Sequence, residues 1–123
     1  MTPEAAVTRW LADAVGLRVH ARGHVPEGSA YPYATLYLPG CCGGGTSAAA
    51  LDLWYRGAGE AEPNAAARRL SAAISRGGAM VPFDGGAAWV RRGEPWCQPV
   101  EDPDDAVERR TINIEVEWLT ATD

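Results

Sequence analysis

The stretch Arg109–Leu119, RRTINIEVEWL, decides how this chain folds. On an extended backbone Ile112, Ile114, Val116 and Trp118 point one way, and Thr111, Asn113, Glu115 and Glu117 point the other. A helix would scatter those four apolar residues around its circumference, so the alternation predicts a strand with one face on a core. Its late position predicts that it closes a sheet built by earlier segments. The polar side is left to water or to a partner.

Working outward from this strand, the same period of two recurs upstream. Tyr33–Leu38 alternates Ala34, Leu36 and Leu38 with Tyr33, Thr35 and Tyr37. Ala50–Arg56 sets Leu51, Leu53 and Tyr55 inward and Asp52, Trp54 and Arg56 outward. Between them PGCCGGGTS, residues 39–47, reads as a mobile loop because its glycines bring no side chains to pack. The pair therefore predicts an antiparallel hairpin with a long open tip. Leu17–Arg22 reads as a short strand, followed by a loop, HVPEGSAYP, rich in turn formers. After it, Ala87–Arg92 and Cys97–Val100 read as two further strands, the first turned in by Asp84–Gly85–Gly86. Glu101–Glu108, EDPDDAVE, is an acidic loop before the final strand.

Two helices complete the pattern. Thr2 and Pro3 make a start signal, a hydroxyl cap before a residue whose fixed φ suits the first turn. Val7, Trp10, Leu11, Ala14 and Val15 then form one apolar stripe that Gly16 ends, giving a helix over residues 3–15. Pro63–Arg76 reads as an alanine-rich helix with Ala67, Leu70, Ala73 and Ile74 on its buried face and the Gly77–Gly78 pair as its stop. The expected architecture is a single α+β domain over residues 1–123, with a mainly antiparallel sheet of about four to six strands and two helices packed on it.

Composition narrows the class. At 123 residues, 46% hydrophobic and 22% charged, the chain has the make-up of one globular domain. Every one of the 11 basic residues is arginine, which we read as the coding bias of a GC-rich genome. A net charge of −5 argues against a dedicated nucleic-acid binder, although an acidic wall would let DNA pass without sticking. The opening MTPEAAVTRW shows no signal-peptide pattern, and no apolar run reaches membrane-spanning length. Three cysteines without spaced pairs suggest reduced thiols.

Chemistry-bearing patterns are sparse. Cys41–Cys42 lacks partners at zinc spacing and any flanking cation to activate a thiol, so it reads as a pair of incidental loop thiols. His20 and His24 stand four apart in a segment that is not helical, which makes a poor metal pair. Gly43–Gly45 has no phosphate-loop pattern, Ser47 has no nucleophile context, and the carboxylates of residues 101–108 do not follow a calcium loop. The sequence thus predicts no enzyme, no cofactor and no metal. Trp54, flanked by Asp52 and Arg56 on an outward face, is the least expected aromatic; partner contact, packing beneath a helix or loop, and ligand stacking all fit it. The candidate contact residues are accordingly Asp52, Trp54, Arg56, Thr111, Asn113, Glu115 and Glu117. The arginine pairs 68–69, 91–92 and 109–110 could reach acidic neighbours across a subunit contact.

The order of these phrases resembles a known family. An amphipathic first helix leads to PYATLYL, a long loop, LDLWYRG, the helix NAAARRLSAAI, a strand AAWVRRGEP, an acidic turn and RRTINIEVEW. This is similar to the small tail terminator or minor capsid (head–tail joining) proteins of long-tailed bacteriophages, along nearly the whole chain. The resemblance implies a structural virion protein of the tail or neck, made in the host bacterial cytoplasm, that assembles as a ring, commonly hexameric. Such a ring caps the tail tube, ends its growth and joins tail to head, with the tube protein, the head–tail connector and passing DNA as partners and no membrane. Another neck or head-completion protein, and a cytoplasmic α+β ligand-binding or regulatory domain, are the alternatives.

Overall fold

The computed structural model describes residues 1–57 and 59–120. In chain order the elements are α1 (Pro3–Val15), β1 (Val19–Ala21), β2 (Tyr33–Tyr37), β3 (Thr46–Arg56), α2 (Ala61–Ile74), β4 (Ala79–Phe83), β5 (Gly86–Val100) and β6 (Val107–Thr120). The six strands make one sheet in the order β1-β2-β3-β6-β5-β4, antiparallel except for the β1–β2 pair. Both helices lie on the same face, so the chain is an α+β domain with a mostly antiparallel sheet, as its alternation predicts.

The local signals at α1 operate as read. The Thr2 hydroxyl accepts the Ala5 amide hydrogen bond at 3.2 Å, Pro3 opens the helix, and Gly16 closes it in the left-handed region with φ 71°. Ala6, Val7, Leu11 and Val15 are its buried side, while Trp10 is half-buried at the margin. The second helix begins and ends two residues earlier than its sequence suggests. Pro63 falls in the first turn, where its missing N–H has no helical acceptor to lose. The helix stops at Ile74 because Ser75 turns to φ 65°; the Gly77–Gly78 pair instead receives Trp89, whose indole N–H donates to the Gly77 carbonyl at 2.9 Å. Its buried stripe is Pro63, Ala66, Ala67, Leu70 and Ile74, and Ala73 turns out to solvent. Arg69 ties the two helices by donating to the Val15 carbonyl, at the electronegative end of α1.

The final strand is the middle of the sheet and not its closing edge. β6 pairs with β3 from Thr46↔Glu117 to Arg56↔Val107 and with β5 from Gly86↔Thr120 to Val100↔Arg109. A central strand with a fully apolar inner side buries the most area, and Ile112, Ile114, Val116 and Trp118 are all 2% exposed or less. They meet Leu51 and Leu53 from β3, Val90 and Ala88 from β5 and Leu70 from α2, while Trp118 sets its edge against Phe83 of β4.

Three further features depart from the sequence reading. β3 begins at Thr46, so the loop before it is shorter than residues 39–47, and the Cys41 amide is tied to the Glu4 carboxylate at 2.7 Å. The segments Ala87–Arg92 and Cys97–Val100 belong to one strand, β5, whose register on β6 shifts between Arg92 and Cys97. Ala79–Phe83, which carries Pro82, is an edge strand; a missing N–H is harmless on the side that faces no neighbour.

Candidate functional site

The face of the sheet opposite the helices carries all seven candidate contact residues. Cross-strand registry arranges six of them in rows, Tyr33↔Trp54↔Arg109, Thr35↔Asp52↔Thr111↔Gln98, Tyr37↔Ala50↔Asn113, Ala48↔Glu115↔Arg91 and Thr46↔Glu117↔Trp89, and sets Arg56 opposite Val107. Small residues at Ala48 and Ala50 divide the face into two clusters.

In the first cluster Trp54 is sandwiched between two neighbours. Tyr33 stacks on one side, with centroids 6.0 Å apart and planes 16° from parallel, and the Arg109 guanidinium lies 4.2 Å from the ring on the other. The indole N–H donates to the Thr35 hydroxyl at 3.0 Å. Asp52 lies in the adjoining row, on the outward face that its alternation predicts, but is only 3% exposed. Arg109 reaches it at 2.7 Å and the Thr111 hydroxyl at 2.8 Å, so its charge is met by one guanidinium and one hydroxyl donor. Arg109 keeps a buried Nε with no acceptor among the described residues. His20 of β1 adds its ring edge to Tyr33 at 5.9 Å and has a buried Nε2 without a partner among the described residues. Burial first, then the neighbouring Tyr31, pushes the Tyr33 phenol above its ordinary pKa.

The second cluster is centred on Arg91. Its guanidinium lies 4.1 Å from the Trp89 ring and 3.7 and 3.4 Å from Glu115 and Glu117, and it donates to the Thr46 hydroxyl at 3.1 Å. The two glutamates are therefore paired within the chain, and this end of the face is less acidic than β6 alone implies. With both partners part-exposed, each pair contributes under about 1 kcal/mol. Asn113 donates to the Pro95 carbonyl at 2.6 Å, and Arg56 holds Asp104 of the acidic loop.

The arginine pairs divide because neighbouring residues on a strand point to opposite faces. Arg109 and Arg91 take the open face, while Arg110 and Arg92 take the helix side. Arg110, 5% exposed, reaches Asn64, Glu60 and Glu108; Arg92 reaches Ser71. The acidic loop organises itself: the Asp102 carboxylate accepts the Asp104 amide and that of Asp104 accepts the Ala106 amide. Cys41 and Cys42 lie side by side in the loop before β3, and burial raises the Cys97 thiol pKa. Among the described residues no trio of His, Cys, Asp or Glu is gathered to hold a metal ion, and no helix is long and apolar enough to cross a membrane.

Tyr33, Thr35 and Trp89 are the members of these clusters that the pattern of single strands missed; Arg91 and Arg109, which the sequence offers to acidic neighbours across a subunit contact, meet carboxylates of their own chain. The outward positions of each strand were legible, but which outward residues become neighbours depends on register.

No family model matches the chain, and no curated protein matches it. A solved structure of a protein that carries a sequence label in place of a functional name superposes with a TM-score of 0.58 at 15% identity, over 98% of this chain and 92% of that one. At that identity the likeness shows the α+β fold.

Proposed function

We propose that this chain is a structural subunit of a long-tailed phage: it assembles as a ring on the end of the tail tube, stops tube growth and joins the tail to the head. The observation that carries the reading is the uncovered sheet face. Six strands are covered by helices on one side, and the other side spends half-buried aromatic rings and arginines on a broad surface with no helix over it among the described residues. The order of elements and phrases, from the capped first helix to RRTINIEVEW, supports the same reading. A ring needs two different patches on each subunit, because one heterologous contact is repeated around a closed rotation. The Trp54 and Arg91 clusters provide rigid ground for one of them.

Negative-stain electron microscopy of the protein, alone and with purified tail tubes, tests this. Closed rings seated on tube ends, with shorter and more uniform tubes, are expected. A protein that stays monomeric at high concentration and leaves tube length unchanged overturns the reading. Binding to head connectors in place of tubes would move the assignment to another neck protein.

A further inference from the structure

Three open clefts of about 780, 430 and 580 Å³ run in succession between α2 and the second half of β5. Trp96 lines the first and the middle one, and Pro99 and Arg110 line the middle one and the last, so together they are one groove. The helix runs antiparallel to this part of β5: Arg92 bonds Ser71 near the end of α2, and Arg110 bonds Asn64 near its start. Fourteen helical residues therefore separate the groove's ends by about 21 Å.

Those ends carry opposite charge. At the α2 start Glu101, Asp102 and Asp105 line the groove and make no ion pair among the described residues; Arg110 is engaged by Glu60 and Glu108, and Arg56, whose charge reaches Asp102, is held by Asp104. Toward the other end Arg76 and Arg92 line the first cleft, and Arg68 lines the middle one, with no carboxylate partner among the described residues. Glu94 also stands there, and Glu115 is held by Arg91. The α2 dipole accounts for Glu60 and Glu62 at its own start, but not for carboxylates supplied by the β5–β6 loop. Beyond Val90, β5 has no β4 partner, and Pro95 and Pro99 interrupt that free edge, so it is a poor template for an added strand. Side-chain charge, with Ala67, Trp96 and Cys97 as apolar ground between Arg68 and Arg110 in the middle, is what the groove has to offer.

We propose that this groove forms a head-to-tail contact between copies of the chain, the carboxylate end of one copy meeting the arginine end of the next. The occupant is a second copy because the complement of each end is already on the same molecule, and because patches at opposite ends of α2 cannot be satisfied within one chain. The contact is heterologous, the kind that closes into a ring or runs on as a filament. It rests on the self-assembly part of the ring reading and names the surfaces.

Sedimentation of the full chain at low and high salt, with two double variants, tests it. Glu101→Arg/Asp105→Arg and Arg68→Glu/Arg76→Glu change exposed side chains that make no hydrogen bond the fold depends on, and thermal melts verify that both fold. Wild type is expected to associate more weakly at high salt, and each variant alone at least about tenfold more weakly than wild type, because like charges then face each other. An equal mixture of the two variants should recover association. Variants that assemble like wild type, or a mixture that recovers nothing, overturn the contact while leaving the ring reading standing. A wild type that stays monomeric at low salt and high concentration, with and without tubes, overturns both.

Discussion

Trp118 and Asp52 show how much a single side chain carries here. Trp118 is 2% exposed at the end of the apolar row of β6, so Trp118→Ala should cost about 3–5 kcal/mol in urea unfolding. Its buried indole N–H has no acceptor among the described residues, so Trp118→Phe should cost distinctly less, keeping the edge contact with Phe83. Asp52 is the opposite case, a buried charge that is fully met. Asp52→Ala leaves Arg109 and Thr111 without their acceptor and should lower stability by about 3 kcal/mol, with Asp52→Asn about half as costly. The Trp54 fluorescence of Asp52→Ala should also shift red if the Arg109–Trp54–Tyr33 stack loosens. An unchanged spectrum would mean that the stack stands without the ion pair.

At the scale of elements, the pairing of β5 with β6 sets the shape of the sheet, and it depends on a glycine. A Cβ on Gly86 would sit 2.1 Å from the Leu119 carbonyl oxygen and 3.0 Å from the Phe83 ring. Gly86→Ala must therefore push the first β5–β6 pair apart, at about 1–3 kcal/mol by chemical denaturation. The acidic loop before β6 has a pH signature. The Ala106 amide, and then Arg56, hold the Asp104 carboxyl below the ordinary aspartate range. A depressed folded-state pKa makes its contribution present above the unfolded aspartate value of about 3.9 and lost as pH falls through the folded value. An NMR titration of the Asp104 side chain should thus show a midpoint below that of a free aspartate, and Arg56→Ala should raise it. A midpoint at the ordinary value in both would show the loop to be open in solution.

On the scale of the whole molecule, one sheet face is sealed by two helices and the other is finished by its own side chains. Within the ring reading, that open face meets a neighbouring subunit or the DNA channel. Charge reversal at Glu115 and Glu117 separates these uses from plain solvation. It would leave Arg91 without its carboxylate partners and should weaken assembly or slow DNA passage; normal assembly with normal DNA passage would return the face to solvent. The groove along α2 belongs to the same scale, because its two ends come from different elements and acquire meaning only relative to each other.

Much of this was legible in the residues. Period-two alternation placed β2, β3 and β6, and cap residues placed α1, because those signals are local: a strand's two faces and a helix's orphan amides are determined by neighbours in the chain. The Ala79–Phe83 strand was not legible, since a proline speaks against a strand unless it is known to lie at an edge. Nor was the single long β5, whose two halves are interrupted by Gly93 and Pro95. The site followed the same division. The outward positions Asp52, Trp54, Thr111, Asn113, Glu115 and Glu117 could be read from alternation, but the burial of Asp52 and the stacking of Trp54 could not. The sequence by itself determined the class of fold and the two sides of each strand. The tertiary structure decided strand order and register, and with them which arginine meets which carboxylate, because an ion pair across a sheet joins residues as far apart in the chain as Asp52 and Arg109.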